Sequence, residues 1–217
     1  MKLHVVVGSP NSRKVQAVVN HLALPIEIEY YDFFTGDLKT SSYLALNPNG
    51  MVPLLTNGTF NLWESNAIMQ YLADRAGSDT LFPRGPERRA DIVRWQCWEL
   101  AHFNRAFGTL AWEAVVKPNF NLGVTNRPVV EVMQESLQRF AAVLDRHMDG
   151  RSHLVGDGIT IADYSVIHAE GFKEAIPFDW SPYPHLNAYF ERMRRVEHWA
   201  VTAPESVAAV GRKPKAA

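Results

Sequence analysis

Gly8-Ser9-Pro10-Asn11-Ser12-Arg13-Lys14-Val15 follows an apolar run, Leu3-His4-Val5-Val6-Val7, and precedes a segment with helical periodicity. The order reads as a strand, a tight turn and the first turn of a helix. Val15, Val18, Val19 and Leu22 recur at i, i+3, i+4 and i+7, one apolar helix face, and Pro25 stops that helix. Ser9, Asn11 and Ser12 therefore crowd one helix N-terminus. Such a terminus carries unpaired N–H groups and a partial positive charge, so an anion or a thiolate placed there is stabilised. The plainer reading of the same side chains is that they cap the helix.

Downstream, Ile26-Glu27-Ile28-Glu29-Tyr30 alternates apolar and polar, a half-buried strand that completes a β-α-β unit. Residues 33–49 read as loop. Val52-Pro53-Leu54-Leu55-Thr56, the turn Asn57-Gly58, and Thr59-Phe60-Asn61-Leu62 predict a hairpin. Pro53 opens its first strand, where a missing N–H costs least. Glu64-Ser65-Asn66 leads into a helix over 67–75, ended by Gly77. Residues 1–78 thus predict a β-α-β-β-β-α domain, a small mixed sheet covered by helices. Its two helix N-termini, at 9–12 and 65–66, are expected to face one cleft. Glu64 is expected to be buried, which favours a ligand role for Glu64-Ser65 over simple capping.

Residues 79–87 have linker composition. Residues 88–217 predict an all-α domain, so the fold class is α/β followed by all-α. A long helix runs to about Thr109 with Val93, Cys97, Leu100, Asn104 and Phe107 on one face. A second starts at Pro128, with Val129, Val132, Met133, Leu137, Phe140 and Leu144 apolar. After a loop over 150–158, Thr160-Ile161-Ala162-Asp163 reads as a capping box opening a buried helix through Ala175. A helix with Leu186, Tyr189, Phe190 and Met193 follows, then a short one over 204–210.

Composition narrows the functional classes. Of 217 residues 47% are hydrophobic and 21% charged, which suits a globular chain with a substantial core. A net charge of −1 implies no strong field, so neither nucleic acid nor an anionic membrane is an expected partner. The basic tail residues Arg212, Lys213 and Lys215 are too few to change that. The single cysteine, Cys97, excludes an internal disulfide framework, a zinc-thiolate cluster or a Cys-x-x-Cys pair. On an apolar helix face it is expected to be a buried structural thiol. The eight histidines form no ligand-spaced pair, so no metal site is expected. The N-terminus reads as a strand and not a signal peptide, and no run is long enough to span a bilayer. A cytoplasmic protein is expected.

In four stretches the chain resembles the cytosolic glutathione transferases, and the resemblance covers nearly its whole length. Ser9-Pro10-Asn11-Ser12-Arg13-Lys14-Val15 is similar to the family's activating turn. Asn47-Pro48-Asn49-Gly50-Met51-Val52-Pro53-Leu54 is similar to its Asn-Pro-x-Gly-x-Val-Pro segment, whose last proline is cis. Trp63-Glu64-Ser65-Asn66-Ala67-Ile68 resembles its Glu-Ser-x-Ala-Ile segment, and Gly156-Asp157-Gly158-Ile159-Thr160-Ile161-Ala162-Asp163 its helical-domain capping box. The turn is that of a serine-type, bacterial-like member, similar to the theta, phi and nu classes. It lacks the tyrosine or cysteine of other classes, and it does not match the Ser-Ser-Cys of the maleylacetoacetate isomerase branch.

The resemblance implies a thioredoxin-like N-terminal domain and the following roles. Ser9 would donate to the glutathione sulfur, with Asn11 sharing that role and Ser12 in the same turn. Met51, Val52 and Pro53 would line the tripeptide, the Val52 backbone pairing with its cysteinyl part. Glu64 and Ser65 would bind the γ-glutamyl end and Lys39 the glycyl carboxylate. Phe103, Phe107 and Trp112 would wall an electrophile pocket, with ordinary core an equally good reading of each. Thr160 and Asp163 would only cap a helix. Glutathione would be the co-substrate, with no metal, and a small hydrophobic electrophile or a disulfide the second substrate. A homodimer is implied as well.

The chemistry is physically sensible. A free thiol titrates near ~8.5, so little of it is thiolate at neutral pH. Lowering its pKa by about two units needs roughly 2.7 kcal/mol of preferential thiolate stabilisation. A hydroxyl donor, one or two N–H groups and a helix dipole together reach that range. Three alternatives stand beside the transferase. Ser-Pro-Asn resembles a branch that leans to disulfide reduction, and reduction of a peroxide would share the same site. A non-catalytic glutathione-binding or interaction module shares the fold. A glutaredoxin-type reductase is disfavoured because the turn has no cysteine.

Overall fold

The computed structural model describes residues 1–209. Val210, at the end of the expected last helix, and the basic tail residues Arg212, Lys213 and Lys215 lie outside the described residues. The described chain divides into two compact units, one of residues 1–83 with residues 195–209, the other of residues 84–194.

The first unit is built on a four-stranded sheet in the order β2-β1-β3-β4. β1 (Lys2–Val6) runs parallel to β2 (Glu27–Tyr31) and antiparallel to β3 (Leu54–Asn57), which pairs with β4 (Phe60–Trp63). α1 (Pro10–His21) supplies the crossover between β1 and β2 and packs against α3 (Ser65–Arg75). Val15, Val18, Ile68, Met69 and Leu72 are fully buried, as are Leu3, Val5 and Leu55 on the sheet. Successive strand residues point to opposite faces, so His4 and Leu54, a register pair, turn to the other side. There Leu54 packs with Leu38 and Tyr43.

The segment over 33–49 is not a plain loop. It holds a 3-10 turn (Asp37–Lys39) and α2 (Ser41–Leu46). Thr40 caps α2 by accepting from the Tyr43 N–H at 3.3 Å. A helix this short has no periodicity to read, and the small polar residues at its start, Ser41 and Ser42, look like loop. The hairpin register pairs Asn57 with Phe60, so its two loop residues are Gly58 and Thr59. Gly58 sits at φ +61°, as a first central residue of a hairpin turn often requires.

The end of the chain also departs from expectation. Instead of joining the helical domain, α10 (Glu197–Ala200) and α11 (Pro204–Ala209) belong with the sheet unit. The Arg13 guanidinium lies 4.1 Å over the Trp199 ring, and Arg13 Nε donates to Thr202 Oγ1 at 3.2 Å. Asn20 Nδ2 donates to the His198 carbonyl at 3.4 Å. Trp199 is fully buried by this packing, which is why the segment returns to α1. The units part between Pro83 and Arg84.

In the second unit α4 (Pro86–Trp98) continues through a π-helical turn (Glu99–Phe103) into α5 (Asn104–Ala111), a second π-helical turn (Trp112–Val116) and α6 (Lys117–Asn119). Its buried face is Ile92, Trp95, Gln96, Glu99, Phe103, Ala106, Phe107 and Leu110. Cys97 and Leu100 are exposed, so the expected face and the expected burial of Cys97 are both corrected. The cause is a buried polar pair of contacts. Gln96 Nε2 donates to Ser165 Oγ at 3.2 Å, and Glu99 lies 2.9 Å from His168 Nε2. A reading that assigns polar residues to solvent picks the wrong phase.

α7 (Arg127–Met148), α8 (Ile161–Val166) and α9 (Pro184–Arg194) complete this unit. Val132 of α7 is exposed, unlike its apolar neighbours Leu137 and Leu144. Past α8 the expected helix becomes a 3-10 stretch (Ile167–Phe172). The capping box forms: Thr160 Oγ1 accepts from the Ala162 N–H, and Asp163 Oδ2 accepts from the Thr160 N–H at 2.8 Å. Asp163 Oδ1 also accepts from the Leu154 N–H at 2.9 Å and the Tyr189 hydroxyl at 3.2 Å. Burial raises both the Asp163 carboxyl and the Tyr189 phenol above their ordinary values.

Candidate active site

The site is assembled at one end of the sheet. β1 leaves the sheet there after Val6, β3 enters it there at Leu54, and β4 leaves it there after Trp63. The antiparallel register therefore gathers the turn at Ser9, the approach at Val52 and the start of α3 at Ser65. Both Val6 and Val52 pack on the Leu38, Tyr43 and Leu54 cluster.

Gly8, at φ +81°, makes the turn after β1. Ser9 caps α1, its Oγ accepting from the Ser12 N–H at 3.3 Å. Accepting leaves the Ser9 hydroxyl proton to donate elsewhere. Pro10 has no N–H, and the Arg13 N–H bonds the Ser9 carbonyl at 3.0 Å. Of the first-turn amides that leaves the Asn11 N–H, which has no intrahelical partner. Ser12 takes no place in this set: it is fully buried and its hydroxyl accepts from the Val6 N–H at 3.4 Å.

The Asn11 side chain reaches the second helix. Its Oδ1 accepts from the Ser65 hydroxyl at 3.4 Å. Glu64, the residue before, is exposed and not buried as expected, and it adopts φ +74° and ψ 112°. Its side chain makes no capping hydrogen bond. α3 therefore begins without a side-chain cap from its N-cap residue, and the positive end of its dipole faces the site. A non-glycine residue at such a φ costs of order 1–3 kcal/mol, and this strain concentrates where ligands are held.

A third group lies on the approach to β3. Lys39 is exposed and its Nζ donates to the Gly50 carbonyl at 3.3 Å. Gly50, at φ +58°, brings the chain so close that a Cβ would sit 2.9 Å from the Leu38 carbonyl oxygen. Met51 exposes its side chain while its carbonyl is gripped from within. The Val52–Pro53 bond is cis. Val52 lies outside the ladder, whose register begins at Leu54.

The chain matches the family description "Glutathione S-transferase, N-terminal domain" over residues 8–75 and "Glutathione S-transferase, C-terminal domain" over residues 103–197. It is 32% identical over 196 residues to Glutathione S-transferase 3 of Zea mays, covering 88% of this chain and 87% of that one. This chain belongs to the glutathione S-transferase family. Among solved structures it is similar to a theta class glutathione S-transferase of Xanthomonas axonopodis pv. citri with glutathione bound. The TM-score is 0.83 at 26% identity, over 93% of this chain and 96% of that one. A glutathione transferase of Phanerochaete chrysosporium with oxidized glutathione gives a TM-score of 0.83 at 25% identity, over 98% and 97%.

As a glutathione S-transferase, the chain has the thioredoxin-like sheet domain and the all-helical domain expected of it. Of the residues singled out in the sequence, Ser9, Asn11, Ser65, Val52 and Pro53 lie at the one sheet end, with Lys39 and Met51 tied to the same loop. Phe103 and Phe107 lie in the helical unit. They are fully buried, Phe103 stacking on Trp98 at 5.7 Å and on Phe107 at 6.0 Å, as core of the helical unit. Trp112 is 39% exposed. Thr160 and Asp163 are buried in the helical unit, where they cap α8. Tyr43 escaped the sequence reading because it lies on α2, within a stretch that reads as loop. Among the described residues no helix is long and apolar enough to cross a membrane.

Proposed function

We propose that this chain is a glutathione transferase that ionises the glutathione thiol at the Ser9 turn for attack on a hydrophobic electrophile. The observation that carries this reading is the Ser65–Asn11 hydrogen bond, which joins the N-terminal turns of α1 and α3. It supports a single ligand spanning both turns. The thiolate sits against the Ser9 hydroxyl and the Asn11 N–H, and Glu64 and Ser65 bind the γ-glutamyl end, its carboxylate at the N-terminus of α3. The Val52 backbone pairs with the cysteinyl part, and Lys39 keeps protons to offer the glycyl carboxylate.

Ser9 acts as an electrostatic stabiliser and forms no covalent intermediate. The glutathione sulfur forms the new bond to the electrophile carbon, and the leaving group departs with its electron pair. A homodimer is part of the proposal, supported by Met51 and Phe60, apolar side chains of the sheet unit that are 63% and 44% exposed. A cytoplasmic setting is proposed too, since the co-substrate is a thiol that a reducing compartment maintains.

The test is thiolate absorbance of bound glutathione against pH. Ser9→Ala should raise the bound thiol pKa by about one to two units, the worth of one hydrogen bond to a charged group. An unchanged titration in Ser9→Ala removes the role of Ser9. Disulfide reduction is the second reading, supported by Asn11 in the turn and by the relative solved with oxidized glutathione. Tighter calorimetric binding of oxidised than of reduced glutathione would favour it.

A further inference from the structure

We propose that Tyr43 and Asn47 are positioning residues that aim the Val52 N–H at the ligand, a role that rests on the glutathione site described above. The Tyr43 hydroxyl donates to the Met51 carbonyl oxygen at 2.7 Å, and Asn47 Nδ2 donates to the same oxygen at 2.8 Å. Both donors are buried, with Tyr43 3% and Asn47 1% exposed. The Met51 carbonyl and the Val52 N–H belong to one planar trans peptide, so the two bonds point in opposite directions. Holding the carbonyl inward from both sides turns the N–H outward and stops the peptide from rotating.

Neither donor is free to drift. The Tyr43 ring packs on Leu38 and Leu54 and meets the Tyr31 ring edge-on at 5.2 Å. Burial pushes its phenol above the ordinary value, which keeps it a neutral donor. Asn47 is held by its own oxygen, which accepts from the Asn49 N–H at 3.1 Å and from Asn49 Nδ2 at 3.0 Å. The Met51 side chain is exposed and cannot anchor the peptide. Pro53 has no N–H, so the Val52 amide is the last backbone donor before β3. An amide held at a fixed angle loses less freedom when a ligand carbonyl meets it, and the gain belongs to binding of the tripeptide.

The variants are Tyr43→Phe, which deletes one donor without changing shape, and Asn47→Ala, which deletes the other together with the acceptor for Asn49. Glutathione affinity by calorimetry, KM and kcat for glutathione, the bound thiol pKa and thermal midpoints are measured on each. Each variant should weaken glutathione binding and raise its KM about three- to tenfold, the worth of one neutral hydrogen bond. The kcat at saturating glutathione and the bound thiol pKa should stay as in wild type. A lowered midpoint or kcat with unchanged KM would mean a merely structural role and overturns the inference. Wild-type binding with equal affinity in both variants overturns it alone. A wild-type chain that binds no glutathione removes the site and the inference together.

Discussion

The Ser65 hydroxyl donates to Asn11 Oδ1 at 3.4 Å, across 54 residues of sequence. It links the first turn of α1 to the first turn of α3, so that the two helix ends form one surface. The two side chains should therefore act as a unit. Ser65→Ala and Asn11→Ala should each weaken glutathione binding, and the double variant should lose less than the sum by about 0.5–1 kcal/mol. Calorimetry on the four proteins closes the cycle, and strictly additive losses would separate the two helices.

Asn11→Asp places a carboxylate beside the bound sulfur. A like charge disfavours the ionised form. The bound thiol pKa should be higher by about one unit or more than in Asn11→Ala, which keeps the backbone N–H at that position. A spectroscopic titration of the thiolate reads the difference, and equal values in the two variants would place Asn11 away from the sulfur.

Glu64 sits at φ +74°, where a side chain is disfavoured. Glycine relieves that conformation. Glu64→Gly should therefore raise the unfolding midpoint in denaturant, or leave it level once glycine's extra unfolded-state entropy is counted, while weakening glutathione binding. A loss of stability together with unchanged binding would show that the backbone angle serves the fold instead of the ligand.

Asp163 accepts from the Thr160 and Leu154 amides and from the Tyr189 hydroxyl in a fully buried setting. Asp163→Ala strands those donors and should destabilise the chain by about 3 kcal/mol or more, whereas Thr160→Ala should cost about 1 kcal/mol. Glutathione affinity of the folded fraction should not change in Thr160→Ala. Urea unfolding with calorimetry checks both, and a weakened affinity at full folding would give the capping box a part in binding.

The His21 and His198 rings lie 4.7 Å apart where α10 meets α1. Burial, and then the His198 charge, lower the His21 pKa below its ordinary 6.5. The unfolded chain then takes up this proton more readily than the native one. Stability is full above about pH 6.5 and is lost as the pH falls through 6.5 toward the lower native value. Urea midpoints between pH 8 and pH 5 should fall more steeply in wild type than in His198→Gln. Parallel curves would remove the pair from the acid response.

Much of the fold is legible in the sequence because its signals are local. Gly8 marks the turn after β1, Asn57-Gly58 the hairpin, and Thr160 with Asp163 the cap of α8, each through geometry decided within a few residues. Of the site, Ser9 and Ser65 are legible as residues that begin helices. Misreadings cluster where burial is decided by distant partners. Glu99 and Gln96 are buried because His168 and Ser165 meet them, and no periodicity announces such partners. Cys97, expected in the core, is consequently exposed, and Phe103 is buried in its place on the helix.

By itself the sequence determined the two-part fold and the family, because strand alternation, helix caps and turn glycines are short-range and survive without the rest of the chain. Only the tertiary structure decided which side chains meet. The antiparallel register brought Val52 and Ser65 to the Ser9 turn. Packing turned Ser12 inward to Val6 and carried Trp199 back to Arg13. It also set Tyr43 and Asn47 on one carbonyl. Those contacts depend on the summed burial of residues far apart in the chain, which fixes each helix phase and strand partner only when the whole core closes.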